Sequence, residues 1–211
     1  MIHLISHDTR QSNQSLIEQM HVFRARQFSD RRSWDVMVEN GAEIDHYDAL
    51  ENCRYVIVSD GRGRHLASLR LLDTMGPHML ADVFPDVLAG GYVIRHPRVV
   101  ESSRFCVDTE AVRAHAPNGV NMVTSELLHG LFAWALQEDM INVVSVYDVY
   151  VERILKRAGC IFDRIGQIVP YGGLKTTAGL FEVSPHVVDK LHVTPVEETI
   201  AATEVASIPA E

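Results

Sequence analysis

Residues 99–107 read VVESSRFCV, which predicts a β-strand with several polar side chains set into it. Strands alternate faces, so Glu101, Ser103, Phe105 and Val107 are expected on one side, and Ser102 and Arg104 on the other. Upstream lie Gly76-Pro77, a break, and a short segment around Phe84. Before these, residues 54–59 and 65–72 flank the Asp60-Gly61 turn signal, which extends through Gly63, and predict a hairpin. Further upstream, residues 13–28 place Ile17, Met20, Arg24 and Phe28 at helical spacing, with Leu16 and Phe23 beside them. Downstream, Asn118 or Asn121 caps a long helix running to about Met140, with Val120, Val123, Leu127, Leu131 and Trp134 as its buried stripe. The β-branched run 141–147 suits a central strand, and Val151, Ile154, Leu155 and Ala158 form the inner stripe of a helix stopped by Gly159. Strands near 161–169 and 178–183 follow. Strands first, then strand and helix alternating, indicate a mixed α/β sandwich over residues 1–193, with 194–211 a frayed tail.

The chain has 211 residues, 46% of them hydrophobic, enough for one domain with a sizeable core. A net charge of −9 without Lys/Arg runs argues against a nucleic-acid partner. The start, MIHLISHDTR, lacks a signal-peptide pattern, and no stretch approaches the roughly 18 apolar residues of a membrane span, so the cytoplasm is expected and no membrane partner. Cys53, Cys106 and Cys160 are odd in number and far apart, which suits buried thiols rather than a disulfide framework or zinc site.

The polar residues of the first half carry the functional signal. Arg24 and Phe28 sit on the first helix and Trp34 follows it. Asp45 and Asp48 occupy EIDHYDAL, Arg70 ends ASLR, Phe84 lies in ADVFP, and Glu101 and Arg104 lie in ESSRF. Singly, each has an ordinary reading: a helix Arg is usually a solvated face, and a loop Asp pair is usually a turn or cap. At these positions together the sequence resembles the acyl-homoserine-lactone synthase family, with a looser continuation in VERILKRAG and the following DRIG.

The resemblance implies an N-acetyltransferase-like fold, a three-layer α-β-α sandwich whose mixed sheet is splayed so that a thioester and an amine enter from opposite sides. Acetyl-CoA itself is disfavoured. The Gly-rich phosphate cradle of that superfamily is absent after Arg104, where the chain reads FCVDTEAVRAH, and GRGR at 61–64 joins hairpin strands rather than opening a helix. The implied amine is S-adenosylmethionine, a substrate, with no cofactor. Phe28 and Trp34 would cover its sulfonium and adenine and Arg24 its polar groups, with Phe84, Ser103 and Phe105 beside them. The bland reading of Phe28 and Trp34 is core closure. Asp45, Asp48 and Arg70 would form an electrostatic cluster ordering the loop over this substrate.

Acyl transfer needs a neutral amine, so some group must take a proton. Glu101 is the candidate general base, through an ordered water and with a pKa raised by burial, while Arg104 fixes backbone and substrate geometry. The resemblance implies that a backbone N–H around residues 103–106 holds the oxyanion. Attack of the methionyl carboxylate on its own γ-carbon then closes the lactone and expels methylthioadenosine, a step helped by proximity.

The acyl pocket is expected along Val143, Ser145 and Tyr147, with Met122 and Leu127 from the long helix. By the same resemblance, relatives accepting 3-oxo chains carry Thr near the end of this strand; this chain has Ser145 and Tyr147 instead, and the bulky Tyr147 points to a short, branched or aryl acyl group. Arg153, Lys156 and Arg157 would meet either acyl carrier protein or the phosphates of coenzyme A, and the unusual pocket favours coenzyme A. Rival sites are thin: His3 and His7 find no third metal ligand, and Ser102 and Ser103 have no adjacent His. Two rival functions stay open, an N-acyltransferase acting on another amine and an inactive S-adenosylmethionine-binding domain.

Overall fold

The computed structural model describes residues 1–30, 36–88, 90, 92–111, 113 and 118–192. Its centre is an eight-stranded mixed sheet. The strands are β1 (Ile2–Ile5), β4 (Arg54–Ser59), β5 (His65–Asp73), β6 (Val99–Val107), β7 (Asn142–Asp148), β8 (Phe162–Arg164), β9 (Val169–Tyr171) and β10 (Leu174–Glu182). Strands β2 (Val38–Glu39) and β3 (Ala42–Glu43) form a small separate hairpin. The order in the large sheet is β1-β4-β5-β6-β7-β10-β8, with β9 also paired to β10. All its pairs are antiparallel except β6 with β7, which run parallel and are joined through helix α3 (Met122–Gln137), as a parallel pair requires.

Two helical layers cover the sheet. On one face α3 and the later helices α4 (Glu152–Ala158) and α5 (Pro185–Leu191) bury Val123, Leu127, Leu131, Leu155, Ala158, Val187 and Leu191 against Val56, Val58, Leu69, Leu71, Val100 and Val143. On the other, Leu16 and Met20 of α1 (Gln14–Ala25) pack with Tyr55, Ile57 and Leu72. Neighbours Val56 and Ile57 thus feed different cores, as strand alternation demands. Asn121 caps α3, accepting from the amides of Val123 and Thr124. Gly159 ends α4 in a left-handed conformation at φ 113°, where a side chain is strained.

The structure corrects several expectations. The first helix is α-helical only to Ala25 and continues as a π-helical turn over Arg26–Asp30. Ile154 is exposed, because seven-residue α4 turns only Leu155 and Ala158 fully inward. The single strand expected over 161–169 is two short ones, β8 and β9, and α5 with the β2–β3 hairpin adds elements that periodicity did not announce. The tail 194–211 lies outside the described residues.

The main correction concerns β6. Ser68 pairs with Cys106 but Arg70 pairs with Ser103, so Arg104 and Phe105 together oppose Leu69, a β-bulge. Arg104 takes a left-handed φ of 54°, which shifts the alternation by one residue. Phe105 and Val107 therefore pack in the α3-side core, and Arg104 turns to the side of Glu101 and Ser103, opposite to the expectation. Past the last parallel pair, Ser102 with Ser145, β6 and β7 are no longer paired and the sheet opens.

Candidate active site

Three arginines and three carboxylates meet beside the bulge. Arg24 forks onto Asp48 (2.8 and 3.0 Å) and its Nε donates to Glu43. Arg70 donates to Asp45 (2.5 Å), Asp48 (3.0 Å) and Ser103 Oγ (3.3 Å). Arg104 donates to Glu43 (3.1 and 2.9 Å) and Asp45 (2.9 Å). The charges cancel, as burial requires, and Tyr55 adds a hydroxyl donor to Asp48 at 2.9 Å. Burial opposes ionisation of Asp48, but Arg24 and Arg70 outweigh it and hold its carboxyl far below the usual carboxylate range.

Asp45, Asp48 and Arg70 thus stand together as read from the sequence, and Glu43, the first residue of EIDHYDAL, completes the group. Arg24 is 0% exposed and spends its guanidinium on this network; among the described residues it lines neither cavity below. Trp34 lies outside the described residues.

Glu101 is 1% exposed and accepts the backbone N–H groups of Met79 (2.9 Å) and Leu80 (2.6 Å), at the start of α2 (Met79–Asp82). Burial pushes its pKa up, and these two amides partly counter the shift. Each carboxylate oxygen keeps a further lone pair. The sulfur of Met79 accepts from both Arg70 (3.1 Å) and Arg104 (3.3 Å), which joins Glu101's support to the ion-pair cluster.

Two cavities adjoin. One, of about 120 Å³, runs between the opened strands and α3. Glu101, Ser103, Phe105, Val143, Ser145 and Tyr147 line it with Phe28, and Leu128, Leu131 and Phe132 supply its helical wall. Met122 and Leu127 do not; they are buried in the core on other faces of α3, a choice that tertiary packing makes. The second cavity, of about 390 Å³, is lined by Glu43, Asp45, His46, Tyr47, Val83 and Tyr171 among others. Met79, Phe84 and Arg104 border both, forming a common wall. Arg104 also stacks over Phe28 at 5.3 Å, and Phe84 meets Tyr171 edge-on at 4.9 Å. Sequence reasoning missed Glu43, His46, Tyr47 and Tyr171, although the first three stand within EIDHYDAL. Arg153, Lys156 and Arg157 lie outside both cavities, exposed along α4 where they line a shallow cleft.

The three cysteines are buried and form no disulfide among the described residues, and burial lifts Cys160 to about 12, which leaves it unreactive. No helix among the described residues is long and apolar enough to cross a membrane.

A mixed sheet that opens between two parallel strands, flanked by helices on both faces, defines the N-acyltransferase-like fold class. An acyl-CoA N-acyltransferase from Pseudomonas aeruginosa, 15% identical, shares this fold with a TM-score of 0.58, covering 85% of this chain and 97% of its own. The sequence model of the autoinducer synthase family matches residues 7–191, and the chain belongs to that family, the acyltransferases that make acyl-homoserine-lactone signals for quorum sensing. A probable acyl-homoserine-lactone synthase from Sinorhizobium fredii (strain NBRC 101917 / NGR234) is 37% identical over 164 residues, 78% of each chain. The structure of MesI, a CoA-dependent acyl-homoserine lactone synthase, is 25% identical with a TM-score of 0.77, covering 90% of this chain and 93% of that one.

Proposed function

We propose that the chain acylates S-adenosylmethionine from an acyl thioester, coenzyme A being preferred to acyl carrier protein, and releases methylthioadenosine as the lactone closes. The observation that carries this reading is the common wall: two cavities meet at Met79, Phe84 and Arg104, next to the buried carboxylate of Glu101. The wider cavity, with His46, Tyr47 and Tyr171, offers the aromatic lining that a sulfonium favours. The narrower one takes the acyl group.

In this reading the amine gives its proton through a water to Glu101, and its lone pair attacks the thioester carbonyl. The bulge takes Arg104 and Phe105 out of the ladder register, and a backbone N–H there holds the tetrahedral oxyanion. The C–S bond breaks, the thiolate takes the proton, and the methionyl carboxylate displaces methylthioadenosine from the γ-carbon. Arg104 positions the strand and the cluster. No cofactor enters any step, and the reaction suits a cytoplasmic enzyme.

For the donor, support comes from the exposed Arg153, Lys156 and Arg157, which suit phosphates, and from MesI being CoA-dependent. For the acyl group, support comes from size: a cavity of about 120 Å³ is smaller than the roughly 150 Å³ that accepts benzene, which favours a short or branched chain over an aryl one. The test is mass spectrometry of the purified protein incubated with S-adenosylmethionine and matched acyl thioesters on coenzyme A and on acyl carrier protein. Acyl-homoserine lactone and methylthioadenosine are expected in equal amounts, with more from coenzyme A. Acylation without methylthioadenosine release would overturn the reading.

A further inference from the structure

We infer that the acyl preference is set by a locked wedge: Tyr147 seated on Gly179 and held from outside the cavity by Glu152 and Arg164. This rests on reading the narrower cavity as the acyl site. Val143, Ser145 and Tyr147 lie on one face of β7, so the tyrosine forms part of the wall facing α3. Its ring stands edge-on to Phe162 (6.1 Å) and Phe181 (5.9 Å). Across the ladder, a Cβ added at Gly179 would fall 2.8 Å from the Tyr147 hydroxyl and 2.9 Å from its Cε1. The ring therefore occupies the space in which any other residue at 179 would place its side chain, and the glycine is what lets it lie down.

A ring seated this way still needs something to keep it there. The Tyr147 hydroxyl donates to Glu152 Oε1 at 3.2 Å, and Arg164 holds the same carboxylate with two parallel contacts of 2.9 Å. Two-point contact fixes the carboxylate in direction as well as place. Among the described residues, neither Glu152 nor Arg164 lines the narrower cavity, so both are positioning residues acting through Tyr147. Released, a half-buried tyrosine can turn towards solvent, and the space it leaves joins the cavity. Held, it keeps the space compact and excludes chains that would need that room.

The test measures kcat/KM at saturating S-adenosylmethionine for linear acyl groups from butanoyl to decanoyl, each on coenzyme A and on acyl carrier protein. The readout is the decanoyl-to-butanoyl ratio, which a merely structural role would leave unmoved. Glu152→Ala and Arg164→Met should raise it by roughly tenfold or more, about the least that one methylene is worth in a hydrophobic pocket. Glu152→Gln keeps an oxygen for the tyrosine but can accept from Arg164 at one point only, so its ratio should fall between wild type and Glu152→Ala, while Tyr147→Ala should raise the ratio at least as far. Wild-type ratios in both Glu152→Ala and Arg164→Met overturn the lock, and a wild-type ratio in Tyr147→Ala overturns the wedge itself. Arg164 is exposed on edge strand β8, so its variant reports even if Glu152→Ala fails to fold. Failure of the underlying reading is distinct: wild-type protein then yields no acyl-homoserine lactone from any thioester.

Discussion

Glu43 bridges Arg24 and Arg104: one carboxylate oxygen takes the Nε of Arg24, and the other takes Nε and Nη2 of Arg104 at 3.1 and 2.9 Å. With 1% exposure, Glu43 cannot exchange these partners for water. Glu43→Gln leaves two guanidinium groups short of an anion, and breaking a buried pair from one side costs about 3–5 kcal/mol. Urea unfolding should show a midpoint lowered accordingly with an unchanged slope, and a loss below about 1 kcal/mol would mean the bridge is not stabilising.

His65 gives the protein a specific acid sensitivity. It is buried, packs on Phe23 at 5.2 Å, and neither ring nitrogen finds a hydrogen-bond partner among the described residues. Burial pushes its pKa from 6.5 down to about 4. In this window the unfolded chain binds the proton that the folded one refuses, so stability falls as pH drops from about 6.5 to about 4, by up to roughly 3 kcal/mol. Asp48 adds to the loss only at lower pH, below its ordinary pKa, because its folded pKa is depressed. His65→Leu should flatten the stability profile between pH 6.5 and 4 in urea titrations; an unchanged slope would show that another group titrates there.

Glu101→Gln tests the proposed base. The amide can still accept one of the two backbone N–H groups that hold Glu101, so the site should survive. Turnover is expected to drop by about 10²–10⁴-fold, with S-adenosylmethionine affinity by calorimetry changed far less. In the wild type the proton acceptor is the ionised form, whose pKa burial raises, so kcat/KM should fall on acidification through that raised value. Wild-type turnover in the variant would remove Glu101 from the role.

Asn121→Ala addresses α3, the crossover that makes β6 and β7 parallel. It removes a side-chain acceptor for the amides of Val123 (3.0 Å) and Thr124 (3.4 Å) at the helix start. A cost of about 1 kcal/mol is expected from thermal or chemical unfolding, and a neutral result would mean that water replaces the cap.

Much of this architecture was legible from local pattern. Strands over 54–59, 65–72, 99–107 and, within a residue, 141–147, a cap at Asn118 or Asn121, of which the helix uses Asn121, and the Gly159 stop all rest on short-range chemistry and stand in the structure. Asp45, Asp48 and Arg70 were also read together, and they meet. The bulge was not legible, because the left-handed Arg104 depends on Glu43 and Asp45, some sixty residues away, to hold it. For the same reason Phe105 and Val107 were placed on the wrong face. Along α3, buried on nearly all sides, periodicity could not choose between Leu127, which is core, and Leu128, which lines the cavity. Helix α5 was available in principle: Ser184 caps it and Pro185 opens it.

The wall of Met79, Phe84 and Arg104 has a consequence for how the two cavities are filled. Occupants of the two chambers would touch the same three side chains, so this wall is the place through which one could act on the other. Linkage is reciprocal: whatever factor the first guest contributes to the affinity of the second, the second returns to the first.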